Sequence, residues 1–384
     1  MQAKEFTTNA PGQLIPVDKG VAFLPNDLPP ALPPSWELAN LLDEATSSLA
    51  TFVGQAVAVS NHRLLVRALL ARDAVESNRI EGTQTHIQDV LTQEAVGPPK
   101  NAERAQRNFE VLRSMDAATR GEGWLADDRP ITVYLLRTLH AELMQGTRGQ
   151  NKHPGSFRTI PVVIGKVGDG IAEAVFVPAP PEHIPGRMDQ LVDFIQNDRA
   201  YPPLVSAALA HYQFETVHPF EDGNGRLGRI LITLMLVARK LIQWPVLFLS
   251  PYLNANREQY FTLLKRVSTH GEWIPWVRFF LEGVIAQSND GLRRARLMAE
   301  MHAQYRDAIK AQTRSQAALL AVDYVMERAV VTVPGLAAYA SCDYRTARSA
   351  LKALETVGAV EPHKESYPQA WIAVDLIDRV YGDD

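Results

Sequence analysis

The sequence predicts a mainly α-helical protein with one isolated β ribbon, and three observations carry that prediction. Apolar residues recur at helical spacing through most of the chain, for example Leu65 with Leu69 and Phe109 with Leu112. The run Ile230-Leu-Ile-Thr-Leu-Met-Leu-Val-Ala238 is too long and too rich in Leu and Met for a strand, so it reads as a buried helix. By contrast, residues 160–177 are β-like around a glycine-rich centre, Gly165 to Gly170, which is the pattern of a hairpin and its tip.

The elements follow in chain order. Residues 1–34 are polar and proline-rich (Leu28-Pro-Pro-Ala-Leu-Pro-Pro34) and read as an extended arm. Helical patterns at 36–56, 61–80, 85–95 and 102–119 make an N-terminal helical region, 35–125, punctuated at Gly97-Pro-Pro99. A central core, 126–285, carries helices at 133–144, 185–197 and 204–214, the helix after residue 223, and one over 257–281. The hairpin lies between its first two helices. A linker helix, 286–313, leads to residues 314–384. Helices at 317–328, 333–339 and 344–357, the turn Ser341-Cys-Asp343 and the strand-like 369–374 there resemble a winged helix-turn-helix. Arg345, Arg348 and Lys352 line one side of its third helix, as on a DNA-reading helix. Yet residues 306–384 hold nine Lys/Arg against eleven Asp/Glu, net −2, whereas a DNA reader is usually basic. Docking or assembly is the favoured reading, and DNA binding stays open.

Composition narrows the class. A length of 384 residues suits two or three domains. The net charge of −4 gives no general attraction to nucleic acid or anionic membrane. Cys342 is the one cysteine, which excludes an internal disulfide and suits a reducing cytosol. The most apolar run, 230–238, is flanked by Arg229 and Arg239 and is too short to span a bilayer. The start Met1-Gln-Ala-Lys-Glu-Phe-Thr lacks an apolar signal core. The expectation is a soluble cytoplasmic protein with no membrane partner.

The chemistry concentrates in His218-Pro-Phe-Glu-Asp-Gly-Asn-Gly-Arg-Leu-Gly-Arg229. Gly223, Asn224 and Gly225 fall where the 230–238 helix begins. Glycines there let the backbone approach a ligand, and the unpaired N–H groups of a helix N-terminus attract anions. Arg226 and Arg229 are three residues apart and can each hold phosphate oxygens through a planar fork. Asp222 is a hard oxygen ligand beside this nest, and Mg²⁺ prefers one or two carboxylates plus phosphate oxygens. His218 stands just ahead of the nest, an imidazole able to accept a proton near neutral pH. Phe220 reads as a core plug and Pro219 as a stiffener of the turn. Taken singly, each residue has a plainer reading: a loop histidine as polar surface, Gly-Asn-Gly as a turn. Taken together they point to a polyphosphate nucleotide. The spacing of His211, Glu215 and His218 would also allow zinc, with no further ligand evident nearby. A P-loop is absent.

This motif resembles the Fic family signature, His-x-Phe-x-Asp/Glu-Gly-Asn-Gly-Arg-x-x-Arg, with every fixed position filled. The resemblance implies a Fic-type helical core with a β-hairpin flap, and transfer of AMP from ATP to a Ser, Thr or Tyr hydroxyl of a target protein. It implies His218 as the base and Asp222 as the Mg²⁺ ligand. Asn224 and the flanking glycine amides would take the α-phosphate, and Arg226 and Arg229 the outer phosphates. In such proteins the flap aligns the target by strand addition, which places Val162, Val163, Ile164 and Gly165 near the nucleotide. Tyr260 is similar in place to a tyrosine near the adenine, with a buried helix tyrosine as the alternative.

A second segment, Ser77-Asn-Arg-Ile-Glu-Gly82, ends a helix with glycine as its natural stop. By itself Glu81 reads as a solvated helix carboxylate sharing a face with Ser77. It resembles the inhibitory helix of Fic proteins, in which the glutamate pairs with the second motif arginine, here Arg229. The resemblance thus implies an auto-inhibited adenylyltransferase whose partners are a target protein, the chain itself and, as a homodimer, a second copy. Two alternatives remain: removal of AMP at the same site with Glu81 positioning water, and a winged-helix regulator that only senses nucleotide.

Overall fold

The computed structural model describes residues 1–58, 62–165, 170–363, 366 and 368–382. Its elements run β1 (Gly12–Val17), β2 (Gly20–Pro25), α1 (Trp36–Ala58), α2 (His62–Ile80), α3 (Ile87–Val96), α4 (Ala102–Ala126), α5 (Val133–Met144), α6 (Ile184–Asn197), α7 (Pro203–Val217) and α8 (Asn224–Ala238). There follow α9 (Ser250–Ala255), α10 (Arg257–His270), α11 (Trp273–Gln312), α12 (Gln316–Arg328), β3 (Val330–Thr332), α13 (Val333–Tyr339), α14 (Tyr344–Thr356), β4 (Glu361–His363) and β5 (Ala370–Ile372). The mainly helical class is as expected.

The chain forms two compact units, residues 1–49 with 113–287 and residues 50–112 with 288–384. Divisions expected at breaks in the helical pattern therefore differ from those of packing. Helices α1, α4 and α11 each contribute residues to both units, because one continuous helix can bury its two ends in different cores. The helix expected over 257–281 is two, since Gly271 adopts φ 70° and caps α10 by donating to Val267 O at 2.8 Å. The linker helix expected at 286–313 is the continuation of α11.

In the first unit, α7 is buried almost all round and packs on α8, α6, α10 and β2. Its small residues Ala207, Ala208 and Ala210 are fully buried, and Trp276 of α11 donates to Ala208 O at 2.9 Å. Gly228 of α8 meets α7 closely: a Cβ there would lie 2.4 Å from Glu215 Oε1 and 3.1 Å from Phe214 Cδ1.

Two β expectations change. The stretch read as an extended arm contains the antiparallel pair β1–β2, registered Gly12 with Pro25 through Val17 with Gly20. Neither strand alternates, since β1 is half-buried at Gly12, Leu14, Ile15 and Val17 and β2 is buried continuously from Ala22 to Pro25, so the sequence carried no period-2 signal there. Conversely, among the described residues of the hairpin expected over 160–177 the pairing is one bridge, Ile164 with Phe176, with reciprocal bonds of 2.9 and 3.0 Å. Its centre, 166–169, lies outside the described residues, as does residue 61 of an expected helix. A lone bridge needs support, and the β1–β2 pair supplies it. Phe23 N donates to Val177 O at 2.9 Å, and Phe23, Phe176 and Val177 form a buried cluster against which Val163, Ile164 and Ile171 lean.

In the second unit, α12 packs on α2 and α14, α13 packs on α14, and a small sheet runs β3-β5-β4 with both pairs antiparallel. Asp343 caps α14 by accepting from Arg345 N and Thr346 N. Arg345, Arg348 and Lys352 are exposed on α14, and Lys352 pairs with Glu355 at 2.9 Å. Among the described residues, no helix is long and apolar enough to cross a membrane.

Candidate active site

The site is built where α7 ends and α8 begins. His218 closes α7 in the left-handed region, φ 51° and ψ 62°, with its N–H on Phe214 O at 3.0 Å. Such a backbone is uncommon for a residue with a side chain and costs about 1 kcal/mol. Gly223 caps α8 with φ 79°, a conformation that glycine adopts without strain. The chain between them is therefore a tight turn whose two ends both need positive φ.

Three side chains hold the turn. The Asn224 amide spans it, accepting from Phe220 N at 2.9 Å and donating to Phe220 O at 2.8 Å. Phe220 is fully buried and stacks on His140 with ring centroids 3.8 Å apart, as expected of a plug. His140 accepts from Gly155 N through Nδ1 at 2.8 Å, so its Nε2 carries the hydrogen and donates to Asp222 O at 2.9 Å. Burial pushes the His140 pKa down to about 4, which keeps this tautomer neutral. Arg158, 2% exposed, donates from Nε to His218 O at 2.8 Å. Neither His140 nor Arg158 was legible as a site residue. The first is a lone histidine on an apolar helix face, and the second lies 60 residues from the carbonyl it holds.

The remaining motif residues surround the start of α8. The first-turn N–H groups of Asn224, Gly225 and Arg226 have no acceptor within the helix by position, and they make an anion-binding end. Asp222 is half exposed; its Oδ1 accepts from Gly223 N at 2.6 Å and lies 3.4 Å from Arg226 Nη2. Arg226 is 6% exposed, and its Nε is a buried donor with no partner among the described residues, which suits an incoming phosphate oxygen. Arg229 is also buried. The ring of His218 donates from Nδ1 to Glu215 O at 3.2 Å, since a carbonyl can only accept. In the neutral ring this leaves the lone pair on Nε2.

Two of the expected site residues have buried side chains that are engaged within the protein. Tyr260 is completely buried and its hydroxyl donates to His211 Nε2 at 2.8 Å, so it is a core residue and offers no face to an adenine. His211 in turn bonds Gly228 O through Nδ1 at 3.2 Å, and burial, then the Arg229 charge, pushes its pKa down to about 3. The Asn224 side chain, expected on an α-phosphate, is 1% exposed and occupied on both sides by Phe220. Only its backbone N–H remains placed for an anion.

Val162, Val163 and Ile164 are half-buried and Gly165 is exposed. This segment connects to the motif through Arg158, which also bonds Ile160 O at 3.1 Å and Ala179 O at 2.5 Å. In the second unit, α2 ends as expected: Gly82 has φ 89°, Gly82 N bonds Arg79 O and Thr83 N bonds Asn78 O, both at 2.9 Å. Ser77 is buried and Glu81 exposed.

For a metal, Asp222 is the carboxylate beside the nest, and a Cβ on Gly149 would come 3.0 Å from its Oδ2, so glycine leaves space there. Among the described residues no three His, Cys, Asp or Glu side chains gather as a ligand set. One carboxylate suits a magnesium ion that takes its other ligands from phosphates and water.

Comparison with known proteins agrees with this geometry. The sequence profile of the Fic/DOC family matches residues 130–236, and that of the Fic/DOC family N-terminal region matches residues 39–122. Protein adenylyltransferase fic-1 of Caenorhabditis briggsae is 32% identical over 211 residues, 54% of this chain and 37% of that protein. A probable protein adenylyltransferase of Aquifex aeolicus is 36% identical over 85 residues, 22% of this chain and 27% of the relative. The chain thus spans well under half the length of these curated relatives. The crystal structure of a Fic family protein from Desulfovibrio desulfuricans G20 is similar in fold, with TM-score 0.58 and 21% identity over 90% of this chain and 98% of the other. Fic-1 of Caenorhabditis elegans (aa134–508) matches with TM-score 0.52 and 20% identity over 67% of this chain and 72% of that one. The full motif on the α7–α8 turn thus falls inside residues 130–236, which match the Fic/DOC family, and residues 39–122 match that family's N-terminal region.

Proposed function

We propose that the protein is an adenylyltransferase that moves AMP from ATP onto a hydroxyl of a target protein. The observation that carries this reading is the α7–α8 turn, where a base, an anion-binding helix end and two buried arginines converge within twelve residues. The names of the curated relatives support it.

In this mechanism the nucleotide's phosphates lie on the amides of Asn224, Gly225 and Arg226, with the Arg226 and Arg229 side chains on the outer phosphates. Asp222 would hold Mg²⁺, which neutralises charge that develops on the phosphates. His218 takes the hydroxyl proton at Nε2 while that oxygen attacks the α-phosphorus. The bond from the α-phosphorus to the bridging oxygen breaks, and pyrophosphate leaves with the bonding electrons. The Glu215 carbonyl fixes the ring so that Nε2 is the accepting atom. The segment 162–165 would lie beside the target chain. Ser77 and Glu81 would restrain the reaction, on the sequence resemblance. The α12–α14 helices with sheet β3-β5-β4 suit a winged-helix module for docking; a homodimer and a cytoplasmic site of action complete the reading.

The test is incubation of the full chain and a cell lysate with α-labelled ATP, with the label located by mass spectrometry. The expected result is AMP on Ser, Thr or Tyr of a target or of the chain itself, lost on chelation and in Asp222→Ala. Labelling that persists undiminished in excess chelator overturns the metal role, and absence of AMP on any protein even with Glu81→Gly overturns the activity.

A further inference from the structure

We infer that Arg158 is a positioning residue that holds the flap segment and the base-bearing turn in one register, an inference that rests on the adenylyl-transfer reading. Its side chain binds carbonyls from three separate stretches of chain. Nη1 donates to Ile160 O at 3.1 Å, Nη2 to Ala179 O at 2.5 Å and to Val217 O at 3.3 Å, and Nε to His218 O at 2.8 Å. Its own backbone N–H donates to Pro219 O at 3.0 Å. Ile160 and Ala179 bracket the flap segment, and Val217 to Pro219 is the point where α7 passes into the motif.

A guanidinium suits this task because its donors lie in one rigid plane and point in several directions at once. A lysine ammonium is a point charge and cannot reproduce that fan. Burial lowers the pKa of Arg158 to about 10, with Glu182 opposing, so the side chain is still a cation at neutral pH. Its ligands are carbonyl dipoles rather than a carboxylate. Each carbonyl is therefore held by a charge-assisted bond, stronger than a neutral one.

The consequence for chemistry is geometric. The left-handed backbone of His218 needs a restraint on its carbonyl, and Arg158 provides one. The flap exposes Ile160 and Val175, each about half accessible, so its register decides where a target chain would lie relative to His218. A displacement of about 1 Å at a reacting group can cost roughly 100-fold in rate.

The experiment compares wild type with Arg158→Lys and Arg158→Met in the full chain. Its first readout needs no activity. Amide hydrogen exchange at Ile164 and Phe176 should quicken at least about tenfold in Arg158→Met, with the amides of Leu231 to Leu236 in α8 unchanged. Unaltered exchange at the bridge overturns the proposal. If the variants do not fold, native-state exchange of wild type decides. The amides of Arg158, Ile164 and Phe176 should open together with one denaturant dependence, and independent opening of the bridge overturns the proposal. The second readout is transfer kinetics. Expected are a higher KM for the target and a roughly 100-fold lower kcat in both variants, with ATP affinity within threefold of wild type, about the scatter of a single lost contact. Unchanged KM and kcat per folded molecule would mean that Arg158 serves stability alone. Faster exchange without any label transfer by wild type or Glu81→Gly would instead sink the adenylyl-transfer reading.

Discussion

At the scale of single residues, the turn separates groups that act from groups that hold. His218 has its Nδ1 committed to the Glu215 carbonyl, so removing the ring would remove the proposed base without touching the helix end proposed to hold phosphates. His218→Ala should lower transfer about 10²- to 10⁴-fold while ATP affinity, measured by calorimetry, stays within severalfold. Transfer at the wild-type rate would show that another group takes the proton. Asn224 belongs to the second kind. Asn224→Ala strips the partners from both Phe220 backbone groups in a buried setting, a loss of about 1–3 kcal/mol. Urea unfolding should record it as a lower midpoint. An unmoved midpoint would mean that the turn is held elsewhere.

At the scale of elements, two glycines with positive φ stop or start helices, and their surroundings predict different costs. A Cβ at Gly82 meets nothing within 4 Å, so Gly82→Ala bears only the left-handed backbone term, about 1 kcal/mol. A Cβ at Gly223 would come 2.7 Å from Met144 Sδ and 3.4 Å from His140 Nε2. Met144 also receives Arg226 Nη2 at 3.6 Å, so moving it disturbs the arginine as well. Gly223→Ala should therefore cost about 2–3 kcal/mol and weaken nucleotide binding, whereas Gly82→Ala leaves binding unchanged. Equal losses of stability in the two variants, read from thermal midpoints, would contradict this packing argument.

At the scale of the whole molecule, buried histidines set a pH dependence for the first unit. Burial lowers His140 to about 4 and His211 to about 3, from an ordinary value of 6.5. Below pH 6.5 the unfolded chain binds protons that the folded chain refuses, so stability rises with pH through this window. It is fully present above pH 6.5 and lost as pH falls toward the folded values. The loss between pH 6.5 and pH 5 is about 3 kcal/mol for the two together. The urea midpoint should fall accordingly, and a flat profile from pH 7 to pH 5 would show that neither ring is held neutral. The inhibitory reading also belongs to this scale, because Glu81 and Arg229 lie in different units. On the sequence resemblance, Glu81→Gly should raise labelling well above wild type, and Glu81→Gly with Arg229→Ala should show no such gain. Equal labelling by wild type and Glu81→Gly, both folded and binding ATP, removes the inhibitory role.

Helical periodicity, the glycine stop at residue 82 and the twelve-residue motif were legible in the chain because each depends on neighbours in sequence. A helix face, a capping glycine and a helix N-terminus are local physics, and a local pattern displays them. The β1–β2 pair was not visible, since neither six-residue strand alternates and prolines stand beside both. The burial of Tyr260 on His211 and the closure of Asn224 on Phe220 could not be read from neighbours in sequence. Arg158 reaches carbonyls 60 and 21 residues away, and His140 reaches Asp222 across 82. Such partners share no periodicity with one another. The sequence by itself determined the helical class and the chemistry of the motif, because both are written in adjacent residues. Only the tertiary structure decided which polar side chains stay accessible to a ligand and which are consumed in holding the turn, because burial and hydrogen-bond pairing arise when distant segments pack.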